Sequence, residues 1–160
     1  MSTKMWYSWE EMKRDVNVLC RDIVRDKFDP QVIVGLSRGG LIPGVMMSHW
    51  FGVPFKPVQA ALRDFAEWED YLPRPTDERV LIVDDICDSG KTFEKMTKHI
   101  TGPRKGSPLQ IQCDVRFASL IWNNECEDNF EPHYYAQEMA KDSENIWLTF
   151  AWEEFWRPPV

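Results

Sequence analysis

Residues 79–92, RVLIVDDICDSGKT, constrain this chain more than any other stretch. An unbroken apolar run, Val80 to Val83, ends in two adjacent acids, Asp84 and Asp85, and a third, Asp88, precedes Ser-Gly-Lys-Thr. A continuous apolar run of this length reads as a strand buried on both faces, which belongs in the middle of a parallel sheet. The strand is expected over 79–85, with a helix over 90–100 behind the loop. In an open parallel sheet ligands sit outside the carboxyl ends of the strands, where this sequence puts its acids.

The flanking segments agree with that frame. Ser8 and Glu11 are spaced as a capping box, and Trp9, Met12, Val16, Leu19 and Ile23 then recur at helical spacing. QVIVGL (31–36) is a second buried strand, followed by SRGG and by a helix in LIPGVMMSHWF, whose Pro43 lies near the start where proline is tolerated. VPFKPVQA (53–60) is an edge strand because of Pro57. Further strands are expected around 114–122, in HYYAQEM and in NIWLTF, and 102–108 as a turn. Residues 61–78, charged, aromatic and broken by prolines, form a long surface excursion of the kind that is usually functional. Strand alternating with helix places the chain in the α/β class, and 160 residues correspond to one domain.

Charge and cysteines narrow the function. A net charge of −7 argues against duplex nucleic acid as a partner, so an anionic ligand needs a local cluster of donors or a metal cation. Cys20, Cys87, Cys113 and Cys126 show no CxxC spacing and read as free thiols of a reducing cytosol. No stretch is long and apolar enough for a membrane span and the N-terminus has no signal-peptide core, so a cytoplasmic protein without membrane contact is expected. His49, His99 and His133 show neither triad nor metal spacing and are read as structural or solvated.

The chemistry at 84–92 is that of a phosphorylated sugar. Carboxylates accept from hydroxyls and bind hard cations. The Ser89 and Thr92 hydroxyls, Lys91 and the N–H groups of a helix start form an anion cradle. A nucleotide-binding Walker loop would need glycine at position 85, and position 85 is Asp. An ordinary solvated loop with a helix cap accounts for an acid pair alone, but poorly for the whole string.

That string resembles the phosphoribosyl-diphosphate (PRPP) motif of type I phosphoribosyltransferases. VIVGLSRGGLIPGVMMSHWFGVP is similar to the strand, diphosphate loop and helix of the xanthine-guanine enzymes, and PHYYAQEM…NIWLTFAWEE to the base-binding region of these and related purine enzymes. The resemblance implies a Rossmann-like α/β fold, a mostly parallel central sheet with helices on both faces. It adds a mobile lid at about 61–78 and a small base-binding hood from about 119–154. It implies transfer of a 5-phosphoribosyl group from PRPP to a xanthine-, guanine- or hypoxanthine-type purine in salvage, with Mg²⁺, by a homodimer or homotetramer.

Carried over by position, Asp84 and Asp85 hold the ribose hydroxyls, directly or through the metal. Asp88, Ser89, Gly90, Lys91 and Thr92 hold the 5′-phosphate. Asp88 also lies where an acid handles a proton at the purine imidazole edge, or else it only caps the loop. Ser37, Arg38, Gly39 and Gly40 match the diphosphate loop, with Arg63 or Arg74 as the lid cation. Trp147 is the ring that stacks on the base, or a core residue, and Leu148 offers backbone groups beside it. Glu153 is placed near the metal side. The family's lysine that donates to the purine oxo group is replaced, by Asn123 in one register and Ser119 in another. That departure keeps open the same transfer to another base, or a PRPP-sensing regulator without turnover.

Overall fold

The computed structural model describes residues 2–36, 38–58, 79–101, 113–126 and 130–157. The expected lid at 61–78 with Arg63 and Arg74, and Ser37 of the diphosphate loop, lie outside these residues.

Seven strands and three helices follow one another in the described chain: β1 (Thr3–Tyr7), α1 (Trp9–Arg25), β2 (Val32–Leu36), α2 (Leu41–Phe51), β3 (Phe55–Val58), β4 (Arg79–Cys87), α3 (Lys91–Thr101), β5 (Asp114–Asn123), β6 (Tyr134–Met139) and β7 (Ile146–Phe150). The capping box forms as the spacing requires. The Glu11 N–H donates to Ser8 Oγ at 3.1 Å and the Ser8 N–H to Glu11 Oε2 at 2.7 Å. Met12, Val16, Leu19 and Ile23 turn inward, whereas Trp9, at the first helical position, stays largely exposed beside Trp152.

The central sheet has the order β3-β2-β4-β5-β6, with every pair parallel. Proline in β3 is tolerated because β3 is the edge strand. Side chains alternate across the sheet. Ile33, Leu81 and Val83 therefore pack with α1 and with Met47 of α2 on one face, and Val32, Val34, Val80 and Ile82 with Phe93 and Met96 of α3 on the other. Burying both faces of β2 and β4 is what their unbroken apolar runs demanded.

The hood expected over 119–154 is differently built. β5 and β6 belong to the central sheet, and only β7 leaves it, to pair in parallel with β1 from Thr3–Ile146 to Tyr7–Phe150. The N-terminal strand completes this second sheet and was not anticipated, because TKMWY is short, is buried only at its end, and finds its partner at the far end of the chain.

Candidate active site

The sheet order creates a crevice. From β2 the chain runs through α2 outward to β3, and from β4 through α3 outward to β5 on the other side. The loops that follow β2 and β4 therefore part in opposite directions, the arrangement that opens a ligand site at the carboxyl edge of a doubly wound sheet. β2 stays paired with β4 only as far as Gly35–Val83, so Asp84 and Asp85 project past its end. β4 itself does not stop at the acids, as the apolar run suggested. It continues along β5 to Cys87–Trp122, and the two carboxylates start out on opposite faces.

Each acid is tied to the backbone beside it. The Asp85 N–H donates to Asp84 Oδ1 at 3.0 Å and the Ile86 N–H to Asp85 Oδ1 at 2.8 Å. Burial nevertheless holds the Asp84 carboxyl well above the usual range, with the Asp85 charge adding to the shift. Burial likewise pushes Asp85 up to about 6, with Glu153 as a further raising charge. Two crowded carboxyls that resist ionisation are what a hard cation or a pair of sugar hydroxyls would relieve. Among the described residues no group of three or more His, Cys, Asp or Glu forms a metal cage. Mg²⁺ does not require one, since it commonly takes one or two carboxylates with phosphate oxygens and water.

The loop after β2 rests directly on these acids. A Cβ at Gly39 would overlap the Asp85 carboxylate, and one at Gly40 would overlap the Val83 carbonyl oxygen, so only glycine lets this backbone lie so close. Arg38 of the same loop is exposed. On the other side, the loop after β4 turns at Gly90, whose φ of 75° is left-handed, and a Cβ there would meet Phe130. Asp84, Asp85, Asp88, Ser89, Gly90 and Thr92 line a cavity of about 240 Å³ that ends at the start of α3. The N–H groups and dipole of that first turn favour an anion there. Cys87 also borders the cavity, but burial pushes its thiol up to about 12, so it is no thiolate at neutral pH. His133 is structural, as expected: its Nδ1 accepts from the Phe117 N–H at 3.1 Å.

Asp88 faces a cluster that no motif announced. Asn123 Nδ2 donates to Asp88 Oδ1 at 3.0 Å and Lys141 Nζ to Asp88 Oδ2 at 2.6 Å. Asn123 Nδ2 donates also to Asp142 Oδ2 at 3.2 Å. Sequence reading missed Lys141, Asp142 and Glu125; the only trace was the polar AKDS following β6. Ser119, the alternative to Asn123, stands opposite Asp84 in the sheet and is fully buried, its hydroxyl oxygen without a hydrogen-bond partner among the described residues. Trp147 and Leu148 lie on β7 in the second sheet, Trp147 61% exposed and Leu148 buried, and neither lines the cavity.

Residues 2–154 match the phosphoribosyl transferase domain family. A xanthine-guanine phosphoribosyltransferase of Chromohalobacter salexigens is 32% identical over 153 residues, covering 91% of this chain and 82% of that protein. The fold superimposes on a purine phosphoribosyltransferase from Pyrococcus horikoshii with a TM-score of 0.70 and 26% identity, over 98% of this chain and 97% of the other. A Helicobacter pylori xanthine-guanine-hypoxanthine phosphoribosyltransferase shares the fold at a TM-score of 0.76 and 19% identity, over 98% and 96% of the two chains.

Proposed function

The chain belongs to the phosphoribosyl transferase domain family, and from that premise we propose that it is an enzyme moving the 5-phosphoribosyl group of PRPP to a purine base, releasing diphosphate. One juxtaposition carries this. Two half-buried acids stand between a glycine loop that touches Asp85 and a helix start that can hold a phosphate. A phosphate, a diol and a diphosphate in sequence along one ligand fit that order of groups.

In this reading the α3 N-terminus, Ser89, Gly90, Lys91 and Thr92 bind the 5′-phosphate, and Asp84 and Asp85 accept from the ribose hydroxyls. Ser37, Arg38, Gly39 and Gly40 receive the diphosphate, with Arg63 as a further cation. Asp84 and Asp85 would also hold Mg²⁺, which when bound offsets diphosphate charge. The purine enters on the side of Asp88, with Trp147 as its stacking surface. A base nitrogen attacks C1′ as the C1′–O bond to diphosphate breaks, and the proton released from the imidazole edge passes to Asp88. The protein contributes alignment and fixed charge rather than a covalent intermediate.

The test is incubation with PRPP and Mg²⁺ against a panel of purines and pyrimidines, following nucleotide and diphosphate. A purine nucleotide and diphosphate in equal amounts are expected. Tight PRPP binding without product from any base would replace the enzyme with a PRPP-responsive regulator.

A further inference from the structure

β5 carries two buried polar residues, Ser119 and Asn123, and they differ in what they have left to give. Asn123 has filled its valences. Its amide nitrogen donates to Asp88 and Asp142, and its oxygen accepts from the Glu125 N–H at 3.3 Å and the Lys141 N–H at 3.2 Å. An amide has two donors and two acceptor lone pairs, so none remains. Ser119 is the opposite case. It is fully buried, and its Oγ is the one buried side-chain polar atom among the described residues that has no hydrogen-bond partner.

A hydroxyl shut away from every partner costs stability, and alanine would fill the same space without that cost. The register shows what stands beside it. Ser119 is opposite Asp84, one step beyond the Val83–Ala118 pair and two beyond Ile82–Phe117. Side chains alternate across the sheet, so Asp84 and Ser119 share the face on which Ile82 and Phe117 pack with Phe93 of α3. Neighbouring strands lie about 4.8 Å apart, which brings side chains opposite one another within a rotamer change of contact. Asp84 and Phe93 line the cavity and Ser119 does not. Its hydroxyl therefore reaches a ligand only through the Asp84 carboxylate.

We propose that Ser119 is a positioning residue for the ribose: its hydroxyl donates to Asp84 once that carboxylate engages the sugar hydroxyls. This rests on the placement of the ribose at Asp84 given above. Asp84 Oδ1 already accepts from the Asp85 N–H at 3.0 Å. A carboxylate has about four acceptor sites on its two oxygens, so it can take that N–H, the sugar hydroxyls and one further donor together. A serine hydroxyl supplies it by rotating about its own bonds. The orphaned group gains its partner in the complex, so its unmet hydrogen bond becomes a difference in affinity. The same bond fixes the plane of the carboxylate against the sugar.

Titration of wild type and Ser119→Ala with ribose 5-phosphate and, separately, with inorganic phosphate tests this, both without Mg²⁺. Ribose 5-phosphate engages Asp84 and the start of α3, whereas inorganic phosphate needs only the latter. Ser119→Ala should bind ribose 5-phosphate about 10-fold more weakly, the loss of one hydrogen bond to a charged group. It should bind inorganic phosphate as tightly as wild type. Its melting temperature without ligand should hold or rise, because the unpartnered hydroxyl is gone. An equal loss for both ligands means that Ser119 only packs the strand, and overturns the proposal. Unchanged affinity for ribose 5-phosphate overturns it as well. No base and no turnover enter these titrations, which separates the inference from the transferase reading. A loss confined to the sugar phosphate upholds the inference even if no base reacts, and its absence overturns it even in a working transferase.

Discussion

At the scale of single residues, the site is a place where stability has been given up. Asp85 is half-buried beside Asp84 and under the loop at Gly39, and burial pushes its carboxyl up to about 6 from the ordinary value of 3.8. A folded-state value above the unfolded one means that the group's contribution to stability is whole below about pH 4. It is lost as pH rises through 6. Asp85→Asn should therefore raise the melting temperature of the ligand-free protein at pH 8, by roughly 1–3 kcal/mol or several degrees, and change little at pH 4. The same substitution should abolish PRPP binding, because the ionised carboxylate is the form that accepts from hydroxyls or holds a cation. In the wild-type protein the KM for PRPP should fall as pH rises from 5 to 7. Thermal melts and KM measured across that range check both signs.

At the scale of elements, β4 and the turn that ends it organise the site. Sequence patterns revealed β2, β4 and α1 because burial on two faces, or on one helical stripe, leaves a periodic record in adjacent residues. The acids and the phosphate loop were visible for a related reason, since they are contiguous in the chain. Asn123 was found but its role was not: its saturation depends on Lys141, Asp142 and Glu125, brought to it by the β6–β7 loop and a neighbouring turn. No local spacing encodes that. Gly90 shows how tightly the turn is built. A Cβ there would come within 2.6 Å of Phe130 Cγ, and Phe130 packs on Phe93 and Phe117. Gly90→Ala should combine an unfavourable left-handed backbone with that overlap and cost about 2–4 kcal/mol. Denaturant unfolding measures the loss, and weaker binding of ribose 5-phosphate should accompany it.

At the scale of the whole molecule, the second sheet joins the two ends of the chain, and a buried polar knot ties it to α1 and β6. Tyr7 OH and Gln137 Nε2 each donate to Asp15 Oδ2 at 2.6 Å, and Arg14 Nε donates to Oδ1 at 2.9 Å. Tyr7→Phe removes one donor from a buried carboxylate and should destabilise the fold by about 1–3 kcal/mol, as denaturant unfolding would measure. The knot's absence from the sequence reading has the same cause as that of β1, since its members are far apart in the chain. The central claim concerns the crevice that this scaffold holds open, in an acidic protein whose ligand carries several phosphates. The most direct measurement compares wild type with the Asp84→Asn/Asp85→Asn double variant, both verified as folded by circular dichroism, for nucleotide formed from PRPP, Mg²⁺ and the preferred purine. The account predicts nucleotide from the wild type and at least a 100-fold lower rate from the double variant, on the order of 3 kcal/mol of lost transition-state binding. Equal rates from the two proteins would contradict it.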